Sequence, residues 1–302
     1  MDNLKNKYRG CLVGLAVGDC MGVPLEFSDR GIFPKITELV GNGPFNLKIG
    51  EWTDDTTMAL CMGQSLIDCQ GFKAEDQMDK YCKWVKEGYM SSTGKLFDIG
   101  NATANSIESY MKYGNPYAGS EEERSQGNGS IMRLAPIPMV YRNNINDLAV
   151  FSALSSKTTH GHPNCVYSCQ YLSKMISDSL NDEHKDVILR YQPFGHTNEM
   201  VNISGGGYKD KTVDQIKSSG YVIDTLEAAL WAFHTTDSFE EGCIKVINLA
   251  DDSDTVGAVY GQLAGAYYGY DAIPERWREK IVQREMIENM ADQLLELNIK
   301  LK

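Results

Sequence analysis

Gly10, Gly14, Gly18 and Gly22 stand four residues apart near the start of this chain, and Gly257, Gly261, Gly265 and Gly269 repeat the spacing near its end. A four-residue step returns to one face of an α-helix, so each set draws a bare stripe along a helix. A second backbone can approach such a stripe more closely than any side chain would permit. Each glycine weakens its helix by roughly 1 kcal/mol relative to alanine, so packing has to compensate. A lipid-facing origin for the stripes fails, because Asp254, Gln262 and the short span do not suit a bilayer. No apolar run approaches the ~20 residues a membrane span needs. The short apolar stretch Cys11 to Val17 is broken by Gly18-Asp19 before any cleavage site, which argues against a signal peptide.

Each half of the chain pairs its glycine helix with an acid turn at a helix start. Thr53-Asp54-Asp55-Thr56-Thr57 precedes an apolar run from Met58 to Ile67, and Asp251-Asp252-Ser253-Asp254-Thr255 opens the second glycine helix. Adjacent carboxylates repel, and burying them without a cation is costly. Either such a turn is exposed and its acids cap a helix, or something positive sits there. The close-packing helices are expected to bring the two turns together. Asp54, Asp55, Asp252 and Asp254, with Thr53 and Thr255, would then form an all-oxygen set suited to Mg²⁺, Mn²⁺ or Ca²⁺ and not to Zn²⁺. An EF-hand loop starting at Asp252 fails, since Leu263 falls where a bidentate Glu belongs. Two separate acid clusters point instead to a two-metal site that activates water or grips substrate oxygens.

The remaining chain reads as helices at 5–22, 57–69, 74–88, 97–113, 145–158, 162–178, 183–190, 220–234, 237–250, 254–268 and 281–298, with loops at 28–50 and 114–129. The stretch 191–209 reads as irregular, and 204–207 as a plain turn. Alternating strand patterns are scarce, so the fold class is all-α, and no composition shift divides residues 1–302 into more than one domain. A net charge of −12 argues against general nucleic-acid or anionic-membrane binding. Eight cysteines without a CxxC pair read as buried thiols of a cytoplasmic protein and not as a disulfide framework. Gly127-Asn128-Gly129-Ser130 at a helix start would offer backbone N–H groups to an anion, with Arg133 on the first turn. ATPase and dehydrogenase fingerprints are absent from the sequence. His160 and His162 are ligands, or one of them caps the next helix.

These motifs together resemble the ADP-ribosylglycohydrolases, in particular the bacterial dinitrogenase-reductase activating type. The resemblance spans nearly the whole chain. Its markers are Arg9 through Asp19 followed by Pro24-Leu25-Glu26-Phe27; Trp52-Thr53-Asp54-Asp55-Thr56; Phe97-Asp98-Ile99-Gly100-Asn101; Gly127 through Pro136; Thr159-His160; Gly220-Tyr221-Val222; and Asn248 through Gly265. It implies an all-helical fold and two Mg²⁺ or Mn²⁺ ions held by Thr53, Asp54, Asp55, Asp252, Asp254 and Thr255. It implies Glu26, Asp98 and Asp55 as catalytic acids, with Glu26 near the scissile bond. Asn101 matches the loop near the distal ribose, and Asn128, Gly129 and Ser130 match a diphosphate-binding loop. His160 matches a histidine near the ligand, and Tyr221 an aromatic that packs on adenine.

The implied activity is hydrolysis of the C1″ bond between ADP-ribose and an acceptor, an arginine-type linkage on a protein; apart from the resemblance, a monomer is expected. Alternatives are O-acetyl-ADP-ribose, serine or nucleic-acid conjugates, or a silent ADP-ribose-binding or structural relative. Three positions depart from the family pattern: Cys20, Ser253, and Ala250, where many relatives carry Gly. None removes a proposed ligand, but Ala250 would reshape the second turn if that turn needs a left-handed backbone.

Overall fold

The computed structural model describes residues 2–190 and 194–301. Fourteen α-helices follow one another among them: α1 Asn3–Gly22, α2 Asp54–Cys69, α3 Ala74–Glu87, α4 Asn101–Tyr113, α5 Pro136–Tyr141, α6 Ile145–Lys157, α7 Pro163–Leu180, α8 Lys185–Ile188, α9 Asn198–Ser204, α10 Val222–His234, α11 Phe239–Ile247, α12 Ser253–Tyr268, α13 Glu275–Arg278 and α14 Arg284–Lys300. Among the described residues, β pairing is confined to isolated bridges. The all-α expectation holds.

The two glycine stripes meet face to face, and they run antiparallel. A Cβ built on Gly10 would lie 2.3 Å from the carbonyl oxygen of Gly265, on Gly14 2.4 Å from that of Gly261, and on Gly18 1.9 Å from that of Gly257. Gly22 reaches the start of α12, where its Cβ would lie 2.2 Å from the Ser253 carbonyl oxygen. The Ser253 hydroxyl seals that end by donating to the Gly22 carbonyl at 2.7 Å. Helices normally pack 8–10 Å apart because side chains separate them; here peptide groups touch directly. Both helices are buried along nearly their whole length, with Leu12, Leu15, Val17, Val256, Val259 and Leu263 inaccessible to solvent. The antiparallel register has a direct consequence: the C-terminal end of α1, carrying Asp19, lies against the N-terminal end of α12, carrying Asp252 to Thr255.

Several boundaries differ from the sequence reading for identifiable reasons. Residues 97–100 lead into α4 without joining it, because Gly100 takes the N-cap position with an extended backbone (φ −65°, ψ 144°). The helix expected after Gly127–Ser130 does not form there; the chain makes turns through 128–133, and α5 starts at Pro136, a residue suited to a first helical turn. A helix, α9, occupies part of the stretch read as irregular, capped by the Thr197 hydroxyl on the Met200 N–H at 3.3 Å. Residues 191–193 of that stretch lie outside those described. α12 ends at Tyr268, and Gly269 (φ +84°) follows it as the cap instead of continuing the stripe.

Candidate metal-binding active site

The first acid turn is capped, but not by its own acids. Thr53 occupies the N-cap of α2, and neither it nor Asp54 or Asp55 supplies a side-chain cap. The free N–H groups go to Asp19 on α1 instead: its carboxylate accepts from the Thr53 N–H at 3.0 Å and the Thr56 N–H at 3.1 Å. The hydroxyls of Thr53 and Thr56 donate to the same group at 3.1 and 2.6 Å. Asp19 is fully buried, and burial pushes its pKa up to about 6 against the pull of those four partners. The helix-cap reading of Asp54 and Asp55 is thereby corrected. With capping done from another helix, both are released for other work, and the helix N-terminus still favours their negative charge.

The two turns meet. The Thr255 hydroxyl lies 3.4 Å from Oδ2 of Asp55, and the Thr53 hydroxyl, whose single proton is shared between Asp19 and Asp55, lies 3.1 Å from the same oxygen. Glu26, Asp98 and Asp254 each place an oxygen within 4.8 Å of the others. Burial raises the pKa of Asp54 well above the carboxylate range, and the charges of Asp98 and Asp55 add to it. Asp254 is raised by burial and by Glu26 and Asp55, and Asp55 by burial and by Asp19 and Asp252. Glu26 is pushed up to about 9 by burial and the neighbouring Asp98. Asp98 and Asp252 are also raised, burial being the main cause for each.

Buried oxygens of Glu26, Asp55 and Asp254 have no hydrogen-bond partner, and among the described residues no lysine or arginine pairs with any acid of the cluster. Buried polar atoms are normally satisfied. So many orphaned carboxylate oxygens, all hard donors, fit the demand of a divalent oxygen-seeking cation. Glu26 and Asp98 belong to this cluster as fully as the turn acids do.

The cluster forms the floor of a cavity of about 640 Å³, within the range of small-molecule sites. Glu26, Asp54, Asp98, Asp252, Asp254 and Thr255 are on its wall, whereas Thr53 and Asp55 sit just behind them. On the other side the wall carries Asn101, Asn128, Gly129 and His160. Asn128 holds the second turn in place, its amide donating 2.8 Å to Oδ2 of Asp252 and 2.8 Å to the Thr225 hydroxyl. Ser130 is buried behind the loop, and Tyr221 stands at the head of α10, off the wall, with its hydroxyl 3.2 Å from the Asn164 amide; Gly220 lines the cavity instead. Arg133, proposed for an anion, is wholly buried and turned away toward Thr159. Of the two histidines, His162 caps α7 by accepting from the Asn164 N–H at 3.2 Å.

One feature went unread in the sequence, and one was read only as a condition. Asp19 looked like the tail of a glycine helix; its signal was its place on the α1 end that the stripe directs at the second turn. Ala250 and Asp251 both adopt left-handed backbones, φ +62° and +61°, so the departure at Ala250 falls where the turn does need that conformation. Asp251 then clasps the Glu26 loop: its N–H donates to the Ser28 carbonyl at 3.0 Å, and its carbonyl accepts from the Phe27 N–H at 2.7 Å. Phe27, 70% exposed, stands on the cavity wall beside Glu26.

Known proteins resemble this chain over nearly all its length. The family model for ADP-ribosylglycohydrolase matches residues 1–301. An ADP-ribosylarginine hydrolase of Serratia proteamaculans is 42% identical over 289 residues, which cover 96% of this chain and 79% of the relative. The ADP-ribosyl-dinitrogen reductase glycohydrolase of Rhodospirillum rubrum is 31% identical over 307 residues, 98% of this chain and 97% of the relative. A solved structure described as an ADP-ribosylglycohydrolase-related protein complex superposes with a TM-score of 0.89 at 38% identity, covering 99% of this chain and all of that one.

Proposed function

We propose, for a chain that belongs to the ADP-ribosylglycohydrolase family, that it removes ADP-ribose from arginine side chains of modified proteins, with two Mg²⁺ or Mn²⁺ ions in the acid cluster. The observation that carries the proposal is the floor of the cavity, where buried carboxylate oxygens crowd together with no cation from the protein among them. Thr53, Asp54, Asp55, Asp252, Asp254 and Thr255 would hold the ions. When bound, such ions grip ribose hydroxyls and make a bound water more acidic.

The chain's own groups do the rest. Asp19 and Asn128 hold the two turns in register, one through Thr53 and Thr56, the other through Asp252. Glu26 and Asp98, with Asp55 behind them, handle protons: one carboxyl group takes a proton from the attacking water as another supplies one to the departing guanidine nitrogen. Water's oxygen ends on C1″ and the arginine is restored. Asn101 reaches the cavity near the distal ribose, and Asn128, Gly129 and Ser130 form the loop proposed for the diphosphate. Tyr221 reaches adenine only if that ring extends past Gly220 to the head of α10.

Residues 1–302 act as one domain and a monomer in this reading. The eight free cysteines suit a reducing cytoplasm, and no helix of the described residues is long and apolar enough to cross a membrane. The test is release of free ADP-ribose from a panel of arginine, serine and O-acetyl conjugates in Mg²⁺, Mn²⁺ and EDTA. Fastest turnover of the arginine conjugate, abolished by EDTA, is expected. Full activity in EDTA, or indifference to the linkage, would sink the proposal.

A further inference from the structure

We infer that Thr159 and Arg133 are positioning residues that lock His160 into the tautomer with its proton on Nε2, making the ring a permanent N–H donor to an oxygen of the ligand. The inference rests on the cavity being an ADP-ribose site. It assigns work to a buried arginine that the reaction does not use.

Arg133 is wholly inaccessible to solvent, and no carboxylate pairs with it among the described residues. Its guanidinium stacks 4.9 Å over the Tyr81 ring and has neutral partners: from Nη2 the Ser155 carbonyl at 3.2 Å, the Thr158 hydroxyl at 3.2 Å and the Thr159 hydroxyl at 2.7 Å, and from Nη1 the Met58 sulfur at 3.8 Å. Arginine has donors and no acceptor, and it stays protonated. The Thr159 oxygen must therefore accept from it. Thr159 still has one hydroxyl proton, and Nδ1 of His160, 2.8 Å away, is the one acceptor in contact with that oxygen among the described residues. A ring nitrogen that accepts carries no proton, and a neutral imidazole keeps its single proton on the other nitrogen. That nitrogen is Nε2.

The residue lines the cavity while only 2% exposed, and the opposite edge of its ring packs against a loop that lacks side chains at two positions. A Cβ on Gly129 would lie 2.8 Å from Cε1 and 3.2 Å from Nε2 of His160, and one on Gly127 3.3 Å from Nε2. The Gly-Asn-Gly loop thus serves as a slot for an imidazole edge, which explains its glycines without calling on backbone N–H groups. Burial and the Arg133 charge hold His160 down to about 3, so the ring is neutral at any ordinary pH. What it offers is a fixed donor with no competing acceptor. An oxygen lone pair, on a phosphate or a ribose hydroxyl, is the group that fits.

The tautomer is measurable directly. Long-range ¹H–¹⁵N correlation spectra of the histidine-labelled full chain should show His160 protonated at Nε2 and bare at Nδ1, in wild type and in Thr159→Ser. In Thr159→Val the signature should shift toward the Nδ1-protonated form, and Thr159→Ser should keep both tautomer and affinity. Calorimetry with ADP-ribose, ADP and adenosine then locates the acceptor: losing one such hydrogen bond costs about tenfold in affinity. A loss confined to ADP-ribose places it on the distal ribose, a loss for ADP as well places it on the diphosphate, and a loss for all three places it on the nucleoside. With turnover, the loss should appear in KM far more than in kcat. A wild-type ring protonated at Nδ1, or Thr159→Val with unchanged tautomer and affinity for all three ligands, overturns the inference. Absence of hydrolysis for every conjugate would instead count against the proposed function, leaving the tautomer result standing.

Discussion

Replacing Gly18 by alanine tests whether backbone contact between α1 and α12 sets the geometry of the site. The new Cβ would sit 1.9 Å from the Gly257 carbonyl oxygen and 2.4 Å from its carbon. An ordinary contact begins near 3.4 Å, so the helices must separate by about 1.5 Å or bend. Neither side can yield by rotating a side chain, because the opposing atoms are peptide. Overpacking of this kind costs about 3 kcal/mol, at the upper end of the usual range. Alanine's better helix propensity returns about 1 kcal/mol.

The net loss of about 2 kcal/mol corresponds to a Tm lower by roughly 3 °C in a chain of this size. Gly63→Ala in α2 is the matched control. Its Cβ would meet the Sδ of Met290 at 2.6 Å, a flexible thioether that can swing aside, so its Tm should change by only about 1 °C in either direction. Thermal unfolding of both variants, with Mn²⁺ titrations alongside, reads the effect. Mn²⁺ affinity should fall in Gly18→Ala alone, because Gly18 is next to Asp19 and opposite the start of α12. Equal Tm shifts in the two variants, or unchanged Mn²⁺ binding in Gly18→Ala, would refute the idea that the crossing holds the acid turns together.

Two further outcomes follow from the cluster and its surroundings. Mn²⁺ added to EDTA-treated protein at a hundredfold excess over its Kd should stabilise it by about 2.7 kcal/mol; in Asp54→Ala/Asp55→Ala the metal-free protein should be no less stable, since two repelling buried acids are gone, and Mn²⁺ should add nothing. A double variant still stabilised by Mn²⁺ would remove those acids from the ligand set. His160 supplies one part of the pH dependence, opposite in sign to that of the buried acids: its folded pKa is held down to about 3, below the ordinary 6.5 or so of an unfolded chain. Between those values the unfolded state binds a proton that the folded state refuses, so this contribution weakens as pH drops from 6.5 toward 3. Denaturant unfolding should show a steeper acid loss in wild type than in His160→Gln, by up to about 1.4 kcal/mol per pH unit; parallel curves would contradict it.

Periodicity carried much of this fold into view. Glycines at a four-residue step name their own face, and the close crossing they allow brings the α12 acid turn to the end of α1, where Asp19 holds the turn that opens α2. The same logic could have found Asp19, one residue past a stripe glycine, had its partners been known. Those partners, the Thr53 and Thr56 N–H groups, lie on another helix, and no local pattern announces a cap supplied from 34 residues away. Arg133 misled for the opposite reason. Beside a Gly-rich turn an arginine reads as an anion ligand, yet its direction depends on where α6 and α7 place Thr159. Tyr221 likewise carried an aromatic signal, while its position relative to the cavity depends on how α10 docks. α9 is short and interrupted by polar residues, so its stability comes from packed Met200 and Ile203 more than from its own pattern.

The crossing of α1 and α12 also bears on how freely this protein can change. Where side chains separate two helices, every substitution at the seam alters their spacing, and any site built across them drifts with it. Here the separation is measured in peptide groups, which do not vary with sequence. Leu, Val, Met and Cys elsewhere in the core can be exchanged for one another while the distance between the acid turns stays put. The interior is therefore free to diverge, and the acid-lined floor is insulated from that divergence by four glycines on α1 and three on α12.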